Sequence, residues 1–200
     1  MATTSLRREF TNLPNLVTMG RVVLVPFVLI FIDNFSPLRS FISSLLYLGA
    51  AAGDALDGYL ARSRGQVSTL GKFLDPLADK LIVTAVLVFM VSLGRVPAWV
   101  VVVLVARDFA INGLRSVASA QGLVIAASDG GKIKTALQLV AIMMLLIYFR
   151  YPVLGTTIVV DYHRAGLTIL YISMAVSLFS AAQYLKNFFT AALRQPRPSP

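Results

Sequence analysis

Four carboxylates stand close together in the segment DALDGYLARSRGQVSTLGKFLDPLAD, which runs from Asp54 to Asp79, in a chain with only nine acidic residues. Asp54 and Asp57 are three residues apart and Asp75 and Asp79 four apart, so on helices each pair shares a face. Gly65 and Gly71 lie between the pairs and allow the second helix to fold back against the first. Four such charges in one small volume repel: at an effective dielectric near 20, each pair at about 4 Å costs roughly 4 kcal/mol. Protonation, basic partners or cations must offset that. The chain has no cysteine and one histidine, His163, so thiolate and imidazole metal sites and a Ser-His-Asp triad are excluded or improbable. Oxygen-only donors favour hard cations such as Mg²⁺, Mn²⁺ or Ca²⁺. Two divalent ions would neutralise the cluster and leave positive field for a phosphate. The competing structural reading pairs the aspartates with Arg62, Arg64, Lys72 and Lys80 in a solvated loop. It accounts for any one of them better than for all four at helical spacing.

The elements around this cluster are apolar. The 200 residues are 57% hydrophobic with a mean hydropathy of +0.77, too apolar for a soluble domain of this length. Apolar runs near 20 residues predict membrane-spanning helices over about Val17–Ile32, Leu38–Arg62, Leu74–Leu93, Val96–Ala120, Lys132–Phe149 and Ala165–Phe189. The expected fold is an all-α membrane protein of six transmembrane helices with a polar cavity facing the cytoplasm. It forms one domain over residues 1–190, followed by a disordered, proline-rich tail, 191–200. The start, MATTSLRREF, lacks the apolar core and cleavage site of a signal peptide. Leu6, Phe10 and Leu13 beside Arg7 and Arg8 predict a short interfacial helix. No internal repeat is visible.

The net charge is +9, from 18 basic and 9 acidic residues. In a membrane protein this points to anionic lipid, an anionic substrate or topology, and nothing beyond charge supports nucleic-acid binding. One side of the membrane receives Arg7, Arg8, Arg62, Arg64, Lys72, Lys132, Lys134, Lys186, Arg194 and Arg197. The other receives Arg39, Arg95, Arg150 and Arg164. Ten against four places both termini, and the aspartate segment, on the cytoplasmic side of the inner cell membrane.

Small residues dominate GAAAGDALDG, Gly49 to Gly58, where another helix or a ligand can approach the backbone closely. Gly49 to Ala52 are explained by helix packing; Gly58 and Ala61 lie on the acidic side. Pro76 is expected to mark the start of the third span. Taken together the residues spell Asp54-x2-Asp57-Gly58-x2-Ala61-Arg62-x8-Gly71-x3-Asp75-x3-Asp79. This resembles the signature of the CDP-alcohol phosphatidyltransferases, with every defined position filled. The resemblance implies a six-helix membrane homodimer that moves a phosphatidyl group from a CDP-linked lipid such as CDP-diacylglycerol to an alcohol, releasing CMP. It implies two divalent cations, Mg or Mn, on Asp54, Asp57, Asp75 and Asp79, with Asp79 also the base for the acceptor hydroxyl. Asp54, Asp57, Gly58, Ala61, Arg62 and Gly71 would form the CDP site.

The acceptor must be read elsewhere. NLPNLVTMGR opens the first span, with Asn15, Thr18 and Arg21 on one broad face. Asn15 is a further candidate for the CDP site, although a plain helix start, capped by Thr11 or Asn12 with Pro14 in its first turn, also fits. ARDFAINGLRS puts Asp108, Asn112 and Arg115 on one face with Arg107 one position off, and SDGGKIKTALQ supplies Lys132 and Lys134. An Asp–Arg helix tie and positive-inside topology are the plainer explanations. Arg107, Arg115, Lys132 and Lys134 together would suit an acceptor that is itself a phosphate monoester. Both stretches resemble those of family members that use glycerol 3-phosphate. Inositol phosphate, serine and phosphatidylglycerol remain alternative acceptors. A small cation transporter is the alternative from another class, but it would distribute its acids through the membrane midplane.

Overall fold

The computed structural model of the chain describes residues 13–64, 69–121, 129–152, 157 and 159–194, with side chains described for all of these except 13–17, 54–77, 79, 129, 130, 192 and 194. Among the described residues there are six helices: α1 (Leu13–Phe31), α2 (Pro37–Arg64), α3 (Thr69–Ser92), α4 (Ala98–Ala120), α5 (Asp129–Ile147) and α6 (Tyr162–Arg194). Two three-residue strands, β1 (Arg150–Pro152) and β2 (Val159–Asp161), form an antiparallel pair between α5 and α6, with Arg150 opposite Asp161. The helical architecture agrees with an all-α membrane protein, and the hairpin is a departure from the all-α expectation. Its strands are too short to leave a period-2 pattern in sequence.

The six expected spans each fall on a helix, with shifted ends. The third is the clearest correction: α3 begins at Thr69 and runs through Pro76, so the proline does not mark its start. A proline removes one N–H bond and bends a helix, and the stretch before it, LGKFLD, continues the helix toward the N-terminus. Pro14 sits in the first turn of α1 as expected. The interfacial helix expected around Leu6 and Phe10, and caps at Thr11 or Asn12, lie outside the described residues.

The buried faces explain the packing. On α1 the buried positions are Thr18, Arg21, Val25 and Val28, spaced by three and four as one helical face requires, and Ile32 just past its end is buried too. On α5 they are Lys134, Gln138, Ala141, Ile142, Leu145 and Leu146. Each face is polar at one end and apolar at the other. The outward faces are apolar: Val23, Phe27 and Ile30 on α1, Val102 and Phe109 on α4, and Ile172 and Phe179 on α6 are all exposed. That inverts the water-soluble pattern. Among the described residues one helix, Tyr162–Ala191, is long and apolar enough to cross a membrane. α5 and α6 form the most extensive helix pair, and α1 packs against both α2 and α3. A Cβ at Gly166 of α6 would stand 2.9 Å from Leu145 Cγ and 3.0 Å from its amide nitrogen, so only glycine permits this approach.

At the apolar end, the helix termini converge on one side chain. Helix ends leave carbonyls without intrahelical donors. Arg95, 1% exposed, donates to Leu145 O and Leu146 O, each at 3.0 Å, to Asp33 O, to Ser40 Oγ at 2.9 Å and to Asn34 Oδ1 at 2.8 Å. A cation at the C-terminal ends of α1 and α5 is also favoured by their dipoles. Gly94, at φ +71°, places it there: Gly94 N–H bonds Val91 O and Arg95 N–H bonds Met90 O, a Schellman termination of α3. Tyr148 adopts φ +66° at the end of α5, an uncommon conformation for a side-chain-bearing residue. It holds its ring 4.1 Å from the Arg95 guanidinium carbon. Burial pushes that guanidinium down to about 10, so it stays protonated at neutral pH. Arg39 bonds Asp33, and Arg150 and Arg164 pair with Asp161, which also caps α6 by accepting the Arg164 N–H.

Candidate active site

The polar ends of the same helices surround a cavity of about 730 Å³, within the range of small-molecule sites. All six helices contribute to its wall. Arg21 comes from α1, Tyr47, Ala50 and Ala51 from α2, and Lys80 and Thr84 from α3. Arg107, Asp108, Asn112 and Arg115 come from α4, Lys132, Lys134 and Gln138 from α5, and Ser180 and Tyr184 from α6. Among the described residues, six cationic side chains (Arg21, Lys80, Arg107, Arg115, Lys132, Lys134) face one carboxylate, Asp108. Cations set in a low-dielectric wall can bind an anion; the motif carboxylates of α2 and α3 beside them lie outside the described side chains.

Part of the wall is a triad of paired charges, with Lys134 buried and Arg107 and Asp108 half-buried. Lys134 Nζ donates to both Asp108 oxygens, at 2.6 Å to Oδ2, and Arg107 Nη1 donates to Oδ1 at 3.0 Å. Arg107 Nε donates to Ser177 O on α6 at 3.0 Å, and Ser173 Oγ donates to Lys134 O at 3.2 Å. Ser173 and Ser177 are small enough to let the two long cations lie against α6. The triad side chains are mostly withdrawn from solvent, Lys134 at 8%, Arg107 at 12% and Asp108 at 24%. Arg115 reaches over the Tyr184 ring, its guanidinium carbon 5.8 Å from the centroid, in cation–π range.

The shared face of Asp108, Asn112 and Arg115, expected from spacing, lines the cavity. All four residues expected to hold an acceptor phosphate, Arg107, Arg115, Lys132 and Lys134, line it too. The helix-to-helix partner of Asp108 is Lys134; Arg107 meets it along its own helix. Arg21, Lys80, Tyr47 and Tyr184 were missed as wall residues. For Arg21 the signal was its face-sharing with Thr18; for Lys80 it was adjacency to Asp79.

Asp54, Asp57, Gly58, Ala61 and Arg62 fall within α2, and Gly71, Asp75 and Asp79 within α3. Both carboxylate pairs are therefore on helical backbone, where their spacing puts each on one face. Their side chains, and that of Asn15 in the first turn of α1, lie outside the described residues. The flanking side chains are described: Ala50 and Ala51, one turn before Asp54, and Lys80, next to Asp79, line the cavity. Among the described residues no group of three or more His, Cys, Asp or Glu forms a metal cluster. The motif's donor set, carboxylates with no cysteine anywhere in the chain, fits hard divalent cations.

The family model described as CDP-alcohol phosphatidyltransferase matches residues 11–179. The chain is 40% identical over 149 residues to the CDP-diacylglycerol–glycerol-3-phosphate 3-phosphatidyltransferase of Bacillus subtilis (strain 168), covering 68% of this chain and 77% of that protein. It is 31% identical over 175 residues to the protein of that name from Rickettsia bellii (strain RML369-C), covering 88% and 94%. It is 33% identical over 168 residues to a probable phosphatidylglycerophosphate synthase of Mycobacterium tuberculosis (strain ATCC 25618 / H37Rv), covering 82% and 79%. A match over most of the chain, with the whole aspartate motif inside it, leaves one assignment: the chain belongs to the CDP-alcohol phosphatidyltransferase family.

Proposed function

We propose that this protein transfers the phosphatidyl group of CDP-diacylglycerol to glycerol 3-phosphate, giving phosphatidylglycerol phosphate and CMP. The observation that carries the reading is the meeting of two features in one cavity. The residues flanking the aspartate motif on α2 and α3 form one part of the wall, and the cations of α4 and α5 form another. A nucleotide-linked lipid and a second, phosphorylated substrate need that combination. The names of the relatives supply the acceptor.

In this reading Asp54, Asp57, Asp75 and Asp79 hold two divalent cations, Mg²⁺ or Mn²⁺. Such ions, when bound, stabilise negative charge on the diphosphate and on the departing CMP. Asn15, Gly58, Ala61, Arg62 and Gly71 line the CDP part of the site, the small residues leaving room for a flat nucleotide. Arg107, Arg115, Lys132 and Lys134 hold the phosphate of glycerol 3-phosphate and so fix the position of its hydroxyl. The Asp79 carboxylate takes the proton of that hydroxyl as its oxygen bonds the β-phosphorus. The bond from that phosphorus to the CMP oxygen breaks. The helices span the membrane six times with both termini cytoplasmic, the acyl chains stay among the lipids, and the protein works as a homodimer.

The test is direct. Purified protein with CDP-diacylglycerol and Mg²⁺ or Mn²⁺ is offered glycerol 3-phosphate, inositol phosphate, serine and phosphatidylglycerol, and CMP release is measured. Glycerol 3-phosphate alone should give strong turnover. Comparable turnover with another alcohol would reassign the acceptor, and no CMP with any alcohol would end the reading.

A further inference from the structure

Among the described residues, the helices that carry the cationic wall pack mainly on other helices. α4 packs against α6 and α3, whereas α5 packs against α6 and α2. Lys134 on α5 nonetheless reaches Asp108 on α4, and Arg107 reaches the same carboxylate from the neighbouring position. An ammonium and a guanidinium brought this close repel unless a negative charge stands between them. Asp108 supplies it from a mostly buried position, so it determines where both cations stand.

We propose that Asp108 is a positioning residue for the acceptor phosphate, holding Lys134 and Arg107 as a preformed pair of donors. The inference rests on the acceptor reading above and adds a residue that the reading does not use. Nζ of Lys134 carries three N–H bonds and spends two on Asp108; Arg107 carries five and spends one on Asp108 and one on Ser177 O. Both cations therefore retain donor capacity for an incoming phosphate. Asp108 is itself an anion and repels that phosphate. Asp108 lines the cavity too, but its single negative charge is bonded to two cations, so the triad as a whole presents a net positive charge to the phosphate. The side-chain length also matters. Glutamate keeps the charge but moves it by one methylene, and asparagine keeps the shape without the charge.

The test uses purified full-length protein in detergent and the variants Asp108→Asn and Asp108→Glu. With glycerol 3-phosphate as acceptor, Asp108→Asn should raise KM at least tenfold while kcat falls no more than threefold, and Asp108→Glu should recover part of the loss. In a Lys134→Gln background, Asp108→Asn should add less than it does in wild type, because the part of its effect that runs through Lys134 is already lost and only the part through Arg107 remains. As a readout independent of the acceptor's identity, inorganic phosphate is titrated while the melting temperature is followed. Asp108→Asn should need about tenfold more phosphate for half of the wild-type stabilisation. If wild type turns over another alcohol and not glycerol 3-phosphate, the acceptor reading fails and the phosphate titration still decides the role of Asp108. An unchanged or lowered KM with unchanged phosphate dependence would overturn the positioning role, as would a loss confined to kcat. A variant that fails to fold while Asp108→Glu folds and binds phosphate no better than Lys134→Gln would overturn it as well.

Discussion

The two ends of this helix bundle solve the problem of buried charge in opposite ways. At one end a single cation, Arg95, is surrounded by neutral oxygens from α1, α2 and α5 and by the face of Tyr148. Its bonds satisfy carbonyls that the helix ends would otherwise leave orphaned, and the result is closed. At the other end six cations share a cavity wall with one described carboxylate. The first arrangement is satisfied from within the chain and contributes to stability. The second keeps donor capacity to spare on Lys134 and Arg107, which in the proposed reading an anionic substrate takes up. Conversely, truncating a charge at the closed end should damage the fold, and truncating one at the open end should damage the chemistry.

The largest effect should come from Arg95→Met. Removing the guanidinium leaves several buried carbonyl oxygens without donors, a loss of about 3–5 kcal/mol by analogy with broken buried ion networks. Thermal unfolding in detergent should show it, while KM for glycerol 3-phosphate in the folded fraction stays at the wild-type value. A variant as stable as wild type would break the contrast between the ends. Arg115→Ala is the intermediate case. Arg115 lies exposed against Tyr184 on the cavity wall, so its loss should raise KM for glycerol 3-phosphate by about tenfold, or about 1.4 kcal/mol, with little change in melting temperature. An unchanged KM would remove Arg115 from the acceptor site. The smallest effect belongs to Asp161. The Arg164 backbone N–H, with Arg150 and Arg164, holds its carboxylate below the usual range. A depressed carboxylate contributes stability above its ordinary range and loses it as pH falls through the folded-state value. Asp161→Ala should therefore lower the melting temperature slightly at neutral pH and by less in acid, with Asp161→Asn, which keeps a cap, falling between. A pH-independent difference would assign the effect to packing instead.

Much of the frame was legible in the sequence because the physics behind it is local. Long apolar runs marked the helices, and the aspartate spacing placed both pairs on helical faces. Spacing likewise gave the Asp108, Asn112 and Arg115 face. What escaped was non-local. Arg95 could be read only as a loop charge for topology, since its carbonyl partners lie 50 to 62 residues away. The Lys134–Asp108 tie spans 26 positions, and no pattern along either helix names the other. Pro76 misled because one proline was given more weight than the helix-favouring residues before it. The hairpin at Arg150–Asp161 was missed because three-residue strands are set by pairing across the turn rather than by periodicity.

The Arg95 node has one mechanical consequence. Because the ends of α1 and α5 and the first turn of α2 all attach to one buried side chain, they cannot slide independently there, and the node acts as a pivot. Any tilt of α1, 19 residues or about 28 Å long, grows with distance from it. A rotation of about 5° leaves the pivot almost unmoved and displaces the far tip by about 2.5 Å, roughly the length of one hydrogen bond. Arg21, on the same helix, lines the cavity and would move with it.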